Sequence, residues 1–223
     1  MIFDKLIATA DRMQSVLEET SDIKVQHDFP WPALSYGPCE KFRRADLDII
    51  DAREDKKLWM MHLVVYPHLD DGSPIFGFDI IAGPKKITGA FHDFSPVNNN
   101  SYIIPQFAEK VKDFIPSKKR ELPDWAKNIF SGHMISAGNV RDDEEIDKIM
   151  ELAVSNLKMI ISELPNRVKG EDWSVEHDWY CYNQKQNPHT PKVMESLGVD
   201  PVTVRTYIDE CLFPELSPNS SDT

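Results

Sequence analysis

Two ionisable residues interrupt apolar segments on either side of one turn. His62 lies in Trp59-Met60-Met61-His62-Leu63-Val64-Val65-Tyr66, and Asp79 in Ile75-Phe76-Gly77-Phe78-Asp79-Ile80-Ile81. Between them Leu69-Asp70-Asp71-Gly72 is rich in chain-reversing residues. A hairpin centred between Asp70 and Asp71 sets His62 opposite Asp79. Opposed residues of an antiparallel pair project from one face within interaction range. A slip of one residue would turn Asp79 to the other face. If the polar Asp51–Lys57 connection is centred near Asp55, the same geometry sets Asp48 opposite His62. An imidazole flanked by carboxylates is suited to moving protons. Burial raises a carboxylate's pKa, a neighbouring imidazolium lowers it, and an acid–base group works best near the ambient pH. A strand histidine satisfied by an aspartate is also a common way to bury both, and the residues alone leave the two readings open.

Other chemistries find less support. His62, His68 and His92 match no standard metal-ligand spacing, so no metal is expected. Gly72, Gly77 and Gly83 form no phosphate loop, and there is no Gly-x-Ser-x-Gly elbow. Cys39, Cys181 and Cys211 are far apart and lack CxxC spacing, which reads as three reduced thiols. Trp125, Trp173 and Trp179 read as packing residues. Tyr180 to His189 is rich in hydrogen-bonding side chains, Gln184 among them, at what reads as an exposed helix end. A net charge of −12 argues against general nucleic-acid binding. The short basic runs Arg43-Arg44, Lys56-Lys57, Lys85-Lys86 and Lys118-Lys119-Arg120 read singly as solvated surface. Together they would make a positive face that steers an acidic partner.

The elements that must position these residues follow from periodicity. Residues 2–19 have the apolar spacing of an amphipathic helix. Residues 24–40, with Pro30, Pro32, Gly37 and Pro38, read as irregular and extended. Strands are expected at 42–50, 58–66, 75–82 and 87–94, with a fifth near His133–Val140. Short connections make an antiparallel meander economical, and apolar residues on both faces imply a sheet covered on both sides. Helices are expected from Pro105 to Phe114, from Pro123 through Ile129, over 144–164 up to Pro165, and over 175–186. Two more run from Thr190-Pro191 to Gly198 and from Asp200-Pro201 through Phe213. The reading is one α/β/α sandwich domain over residues 1–216, with a disordered tail at 217–223. No apolar run approaches the ~20 residues of a membrane span. The N-terminus carries no signal-peptide core, so the cytoplasm is the expected location. Nothing demands more than a monomer.

Pro74-Ile75-Phe76-Gly77-Phe78-Asp79-Ile80-Ile81-Ala82-Gly83-Pro84, followed by Asp93-Phe94-Ser95-Pro96, resembles the ferredoxin-dependent bilin reductases. The resemblance continues through Arg120-Glu121-Leu122-Pro123-x-Trp125, Tyr180-Cys181 with Asn187, and Val204–Phe213. It implies an α/β/α sandwich with a central antiparallel sheet, and biliverdin IXα held between the sheet and the C-terminal helices. It also implies electrons taken singly from a [2Fe–2S] ferredoxin through bilin radicals, with no bound metal or flavin. By motif, Asp79 and His62 match the catalytic aspartate and histidine, and Arg120 a propionate-binding arginine. Asn187 and Thr88 match pocket positions, and Gln184 and His189 fall in the same lining. His189 stands where a propionate-binding lysine is found. Asp48 stands where the phycocyanobilin-forming members carry a glutamate tied to outer vinyl reduction. These departures resemble the viral and metagenomic branch called PcyX, associated with four-electron reduction to phycoerythrobilin through 15,16-dihydrobiliverdin. The alternatives are phycocyanobilin, a two-electron product, or a bilin-binding protein without turnover. Because plant-type ferredoxins are acidic, Lys85, Lys86, Lys118 and Lys119 become the expected dock.

Overall fold

The computed structural model describes residues 1–167 and 170–216; the tail expected at 217–223 lies outside them. Helix α1 (Ile2–Thr20) is followed by strands β1 (Lys24–Gln26), β2 (Ala33–Tyr36), β3 (Arg44–Ala52), β4 (Leu58–Tyr66), β5 (Ile75–Gly83) and β6 (Lys86–Ser95). Then come α2 (Ile103–Val111), α3 (Asp124–Lys127), β7 (Ile135–Ala137), α4 (Asp143–Glu163), α5 (Ser174–Gln184), α6 (His189–Ser196) and α7 (Pro201–Thr206). A π-helical turn over Tyr207–Leu212 completes the described fold. The seven strands form one antiparallel sheet in chain order, β1 to β7.

The pleat divides each strand between two cores. On one face Leu47, Met61, Leu63, Phe76, Phe78, Ile80 and Phe94 pack with residues of α1, α2 and α4. Leu6, Met13 and Leu17 of α1 are fully buried there. Truncating such a residue, for example Met13→Ala, costs ~2–5 kcal/mol through lost transfer energy and a cavity. Asp142 caps α4 by accepting the Glu145 amide at 2.9 Å, and three acidic residues in the first turn suit the helix dipole. On the other face Ile50, Val64, Tyr66 and Ile75 pack with Tyr180, Met194, Val204, Tyr207 and Phe213. Asp200 caps α7 through the Val202 and Thr203 amides, with Pro201 in the first turn.

The strands expected in the middle are present, and two more precede them. Residues 24–40 hold β1 and β2, which sequence pattern left irregular because β1 is three exposed residues and β2 follows a proline. The helix expected from Pro105 begins at Ile103 and ends at Val111, and that expected over Pro123–Ile129 is a single turn. The last helix changes to π geometry at Tyr207.

The β4–β5 connection turns one residue earlier than the expected Leu69–Gly72. Its reversal sits at His68–Asp71, where the Asp71 amide donates to the His68 carbonyl at 3.0 Å. Asp71 is fully buried and accepts from the Ser73 and Asn166 amides. The connection as a whole, residues 67–74, is centred where the register argument placed it.

Candidate active site

The expected register holds: Asp48 pairs His62 on β3 and β4, and His62 pairs Asp79 on β4 and β5. The row continues through Phe91 on β6 to Ser136 on β7. Its side chains share the face covered by α5, α7 and the π-helical turn. The His62 Nδ1 and an Asp79 carboxylate oxygen lie 2.8 Å apart. His62 Nε2 is buried and has no hydrogen-bond partner among the described residues. Asp48 is not bonded to His62; its carboxylate hydrogen-bonds the Tyr207 hydroxyl.

Burial sets the electrostatics. Asp48, 3% exposed, is pushed up to about 7 by burial, countered in part by His62 and reinforced by Asp46. Burial works against the charged form of His62, but the Asp79 charge and hydrogen bond, with Asp48 and Asp46 behind, raise its pKa overall. Burial and the nearby Asp48 and Asp79 hold the Tyr207 phenol far above its ordinary value, so it stays a hydroxyl donor. A histidine biased to be protonated therefore sits between an aspartate in partial solvent contact and one that titrates near neutrality. Such a row can hold and release protons at neutral pH.

Several parts of this arrangement carry no motif signal. Asp46, 2% exposed, lies two residues before Asp48 on the same face of β3. Its pKa is raised by burial, against the pull of Arg44 and Ser35. Strand alternation over 42–50 already puts Asp46 beside Asp48, and that was the signal available. Phe213 meets the His62 ring edge-on at 5.6 Å, and Trp31 and Phe29 brace Tyr207 at 4.8 and 5.2 Å. Arg44 holds the π-helical turn by donating to the Glu210 and Cys211 carbonyls at 3.3 and 3.0 Å. Tyr180 faces Gly77, where an added Cβ would meet its hydroxyl at 3.6 Å.

The remaining expected site residues divide into those near the row and those held elsewhere. Arg120 lies over Phe91 at 5.4 Å, next to Asp79 in the row, and crosses Gly89 and Gly138 closely. Gln184 donates to the Tyr180 hydroxyl at 2.8 Å, which ties it to the covering layer. Thr88 occupies the irregularity between β5 and β6, and its hydroxyl donates to the Ile81 carbonyl at 2.9 Å. Asn187 accepts the His189 amide at 3.0 Å and joins α5 to α6, with the His189 residue exposed.

Lys85 and Lys86 lie at the β5–β6 turn, where Lys86 Nζ donates to Asn139 Oδ1 at 2.5 Å. Gly138, next to Asn139, donates its amide to the Lys118 carbonyl at 2.9 Å, and Lys119 bridges Ala137. These four lysines therefore gather with Arg120 at one end of the sheet. Arg43 and Arg44 do not join that face. Arg43 donates to His177 Nδ1 and stacks over Tyr66 at 4.6 Å, while Arg44 pairs Asp46.

His92 projects to the opposite core, bonding the Gly77 carbonyl and Asn156, and His68 bonds the Cys39 carbonyl. Among the described residues no group of three or more His, Cys, Asp or Glu could hold a metal ion. Cys39, Cys181 and Cys211 are free, and burial pushes the latter two up to about 12. No helix among the described residues is long and apolar enough to cross a membrane.

A family model described as ferredoxin-dependent bilin reductase matches residues 35–214. The chain belongs to that family. Similar curated proteins are the phycocyanobilin:ferredoxin oxidoreductases of Prochlorococcus marinus and of a Synechococcus species. That of Prochlorococcus marinus strain MIT 9313 is 31% identical over 81% of this chain and 69% of its own. That of Synechococcus sp. strain CC9902 is 30% identical over 78% and 72%. Among solved structures, one named PcyX matches with 30% identity and a TM-score of 0.65 over 95% of this chain and 99% of its own. Tomato phytochromobilin synthase in complex with biliverdin shares the fold, with 13% identity and a TM-score of 0.67 over 95% and 82%. This bilin reductase is thus an oxidoreductase of the ferredoxin-dependent class.

Proposed function

We propose that this bilin reductase catalyses the four-electron reduction of biliverdin IXα to phycoerythrobilin through 15,16-dihydrobiliverdin. Each electron from reduced ferredoxin is matched by one proton from the Asp48–His62–Asp79 row. The observation that carries the reading is that row itself, set beneath a layer of aromatic side chains with Arg120 alongside at Phe91. A flat tetrapyrrole with acidic side arms suits such a place: aromatic walls for its rings, a guanidinium for a propionate, and proton donors beneath its pyrroles. The short Asp48 side chain, turned to Tyr207, favours a product other than phycocyanobilin, because proton transfer depends on reach. The near full-length likeness to PcyX points the same way. Asp79 and His62 act as proton donors, and Lys85, Lys86, Lys118 and Lys119 receive the acidic ferredoxin.

Anaerobic turnover of the biliverdin complex with reduced ferredoxin, followed by chromatography, tests the reading. Phycoerythrobilin with transient 15,16-dihydrobiliverdin is expected. Phycocyanobilin as the end product, which the curated relatives' names make the second reading, would overturn the assignment of product. Binding without spectral change would leave a carrier.

A further inference from the structure

A hydrogen-bonded chain leads from the edge of the sheet to Asp46, which shares a strand face with Asp48 of the row. His27 directly follows β1, and its amide donates to the Ala33 carbonyl at 2.9 Å, which sets its ring beside β2. Its Nε2 lies 2.7 Å from the Ser35 hydroxyl. Ser35 pairs Asp46 in register, and its hydroxyl donates to Asp46 Oδ1 at 2.5 Å. With the serine proton committed to Asp46, His27 Nε2–H is the donor to Ser35, so every donor points inward. Asp46 and Asp48 follow on one face of β3, two residues and therefore ~6.8 Å of strand apart. His27 is half-buried between exposed Gln26 and Asp28, whereas Asp46 and Asp48 are buried. Arg44 and His62 are the charged groups acting on Asp46, Asp46 in turn acts on Asp48, and Arg44 keeps Asp46 in place through its Nε.

We propose that His27, Ser35 and Asp46 form a proton-entry route that recharges Asp48 from solvent between reduction steps. The proposal rests on the bilin reduction described above, which draws a proton for each electron and must refill Asp48, buried beneath the π-helical turn. In one cycle Ser35 passes its hydroxyl proton to Asp46 and takes the His27 Nε2 proton. Asp46 passes a proton on to Asp48, and His27 takes a proton from solvent at Nδ1 as it gives up the one on Nε2, so the ring stays neutral. No electron moves along the chain, and rotation of the Ser35 hydroxyl with return of His27 to its Nε2–H tautomer resets the route.

Ser35 is the residue to change, because alanine breaks the chain and threonine restores its hydroxyl. Anaerobic single-turnover reduction of bound biliverdin would be followed in wild type, Ser35→Ala and Ser35→Thr, in H2O and D2O, with melting temperature and bilin affinity as controls. Ser35→Ala should slow the steps after the first protonation at least tenfold and change the solvent isotope effect. Bilin affinity should be unchanged, and Ser35→Thr should recover most of the rate. His27→Ala should be slowed likewise and accelerated by added imidazole. Wild-type rates in Ser35→Ala, or equal slowing in Ser35→Ala and Ser35→Thr, would overturn the route while leaving the bilin reductase reading intact. A wild-type protein that binds biliverdin but does not reduce it would overturn that reading and, with it, the route.

Discussion

His62 and Asp79 share a 2.8 Å contact but occupy different media: the histidine side chain is 9% exposed, the aspartate 45%. The pair spans the boundary between a buried sheet face and solvent. Removing the carboxylate charge while keeping its shape should separate binding from chemistry. Asp79→Asn should bind biliverdin within a few-fold of wild type and lose turnover by ~10²-fold or more, the range for a positioned acid–base group. Spectral titration and single-turnover kinetics check this, and a carrier without turnover would be little changed by the substitution.

Asp48 is where product choice should respond. Asp48→Glu lengthens the side chain by one methylene in a place braced by Tyr207. The expected outcome is a changed ratio of reduced bilins at nearly unchanged bilin affinity. Asp48→Asn should stop at the two-electron product. Chromatography of the products decides both.

The buried acids tie stability to pH. Unfolded, an aspartate titrates near ~3.9; folded, Asp48 is pushed up to about 7 and Asp93 to about 6, in both cases by burial. The folded chain therefore keeps protons that the unfolded chain has released. This contribution is fully present below the unfolded value and is lost as pH rises through about 6 to 7. In urea unfolding at pH 5 to 6.5, Asp48→Asn should flatten the pH dependence by about 1.4 kcal/mol per pH unit, the slope for one proton. His92 and His177 act in the opposite direction. Burial lowers them to about 4 and 3, so their contribution is present above the unfolded histidine value and is lost as pH falls through those pKa values.

Gly138 offers a test of Arg120 that leaves the arginine in place. A Cβ at this position would meet Arg120 Cγ at 2.7 Å and Cδ at 2.9 Å. The flexible side chain would swing away, leaving Phe91. Gly138→Ala should therefore weaken biliverdin binding about as much as Arg120→Ala does, with the melting temperatures of both variants as the control for folding. Unaltered affinity in both variants would remove Arg120 from the site.

At the basic end of the sheet, Lys118→Glu with Lys85→Glu should raise the KM for ferredoxin several-fold. Biliverdin affinity should stay fixed and the dependence on ionic strength should weaken. Steady-state kinetics at two salt concentrations check this.

Pairing of the row was legible because strand register needs only the centre of a connection. That centre survived even though the reversal moved to His68–Asp71 and Asp71 turned inward. Asp46 was legible in principle, since alternation puts it beside Asp48. Tyr207, Phe213 and Arg44 were not. Their places depend on a π-helical turn held by long-range hydrogen bonds to its carbonyls, and no local periodicity encodes that. Strands β1 and β2 escaped for a related reason: three exposed residues and a proline-led run of four gain their order from a neighbouring strand. Periodicity likewise could not tell the basic runs apart, since Arg43 and Arg44 differ from Lys85 and Lys86 only in what folds over them.

The pleat has a last consequence. Along β4, Trp59, Met61, Leu63 and Val65 face α1 and α4, while Met60, His62, Val64 and Tyr66 face the covering aromatic layer. One strand is thus spelled in two interleaved alphabets, one for persistence of the fold and one for its chemistry. Selection can rewrite either set of letters while the other is still read unchanged.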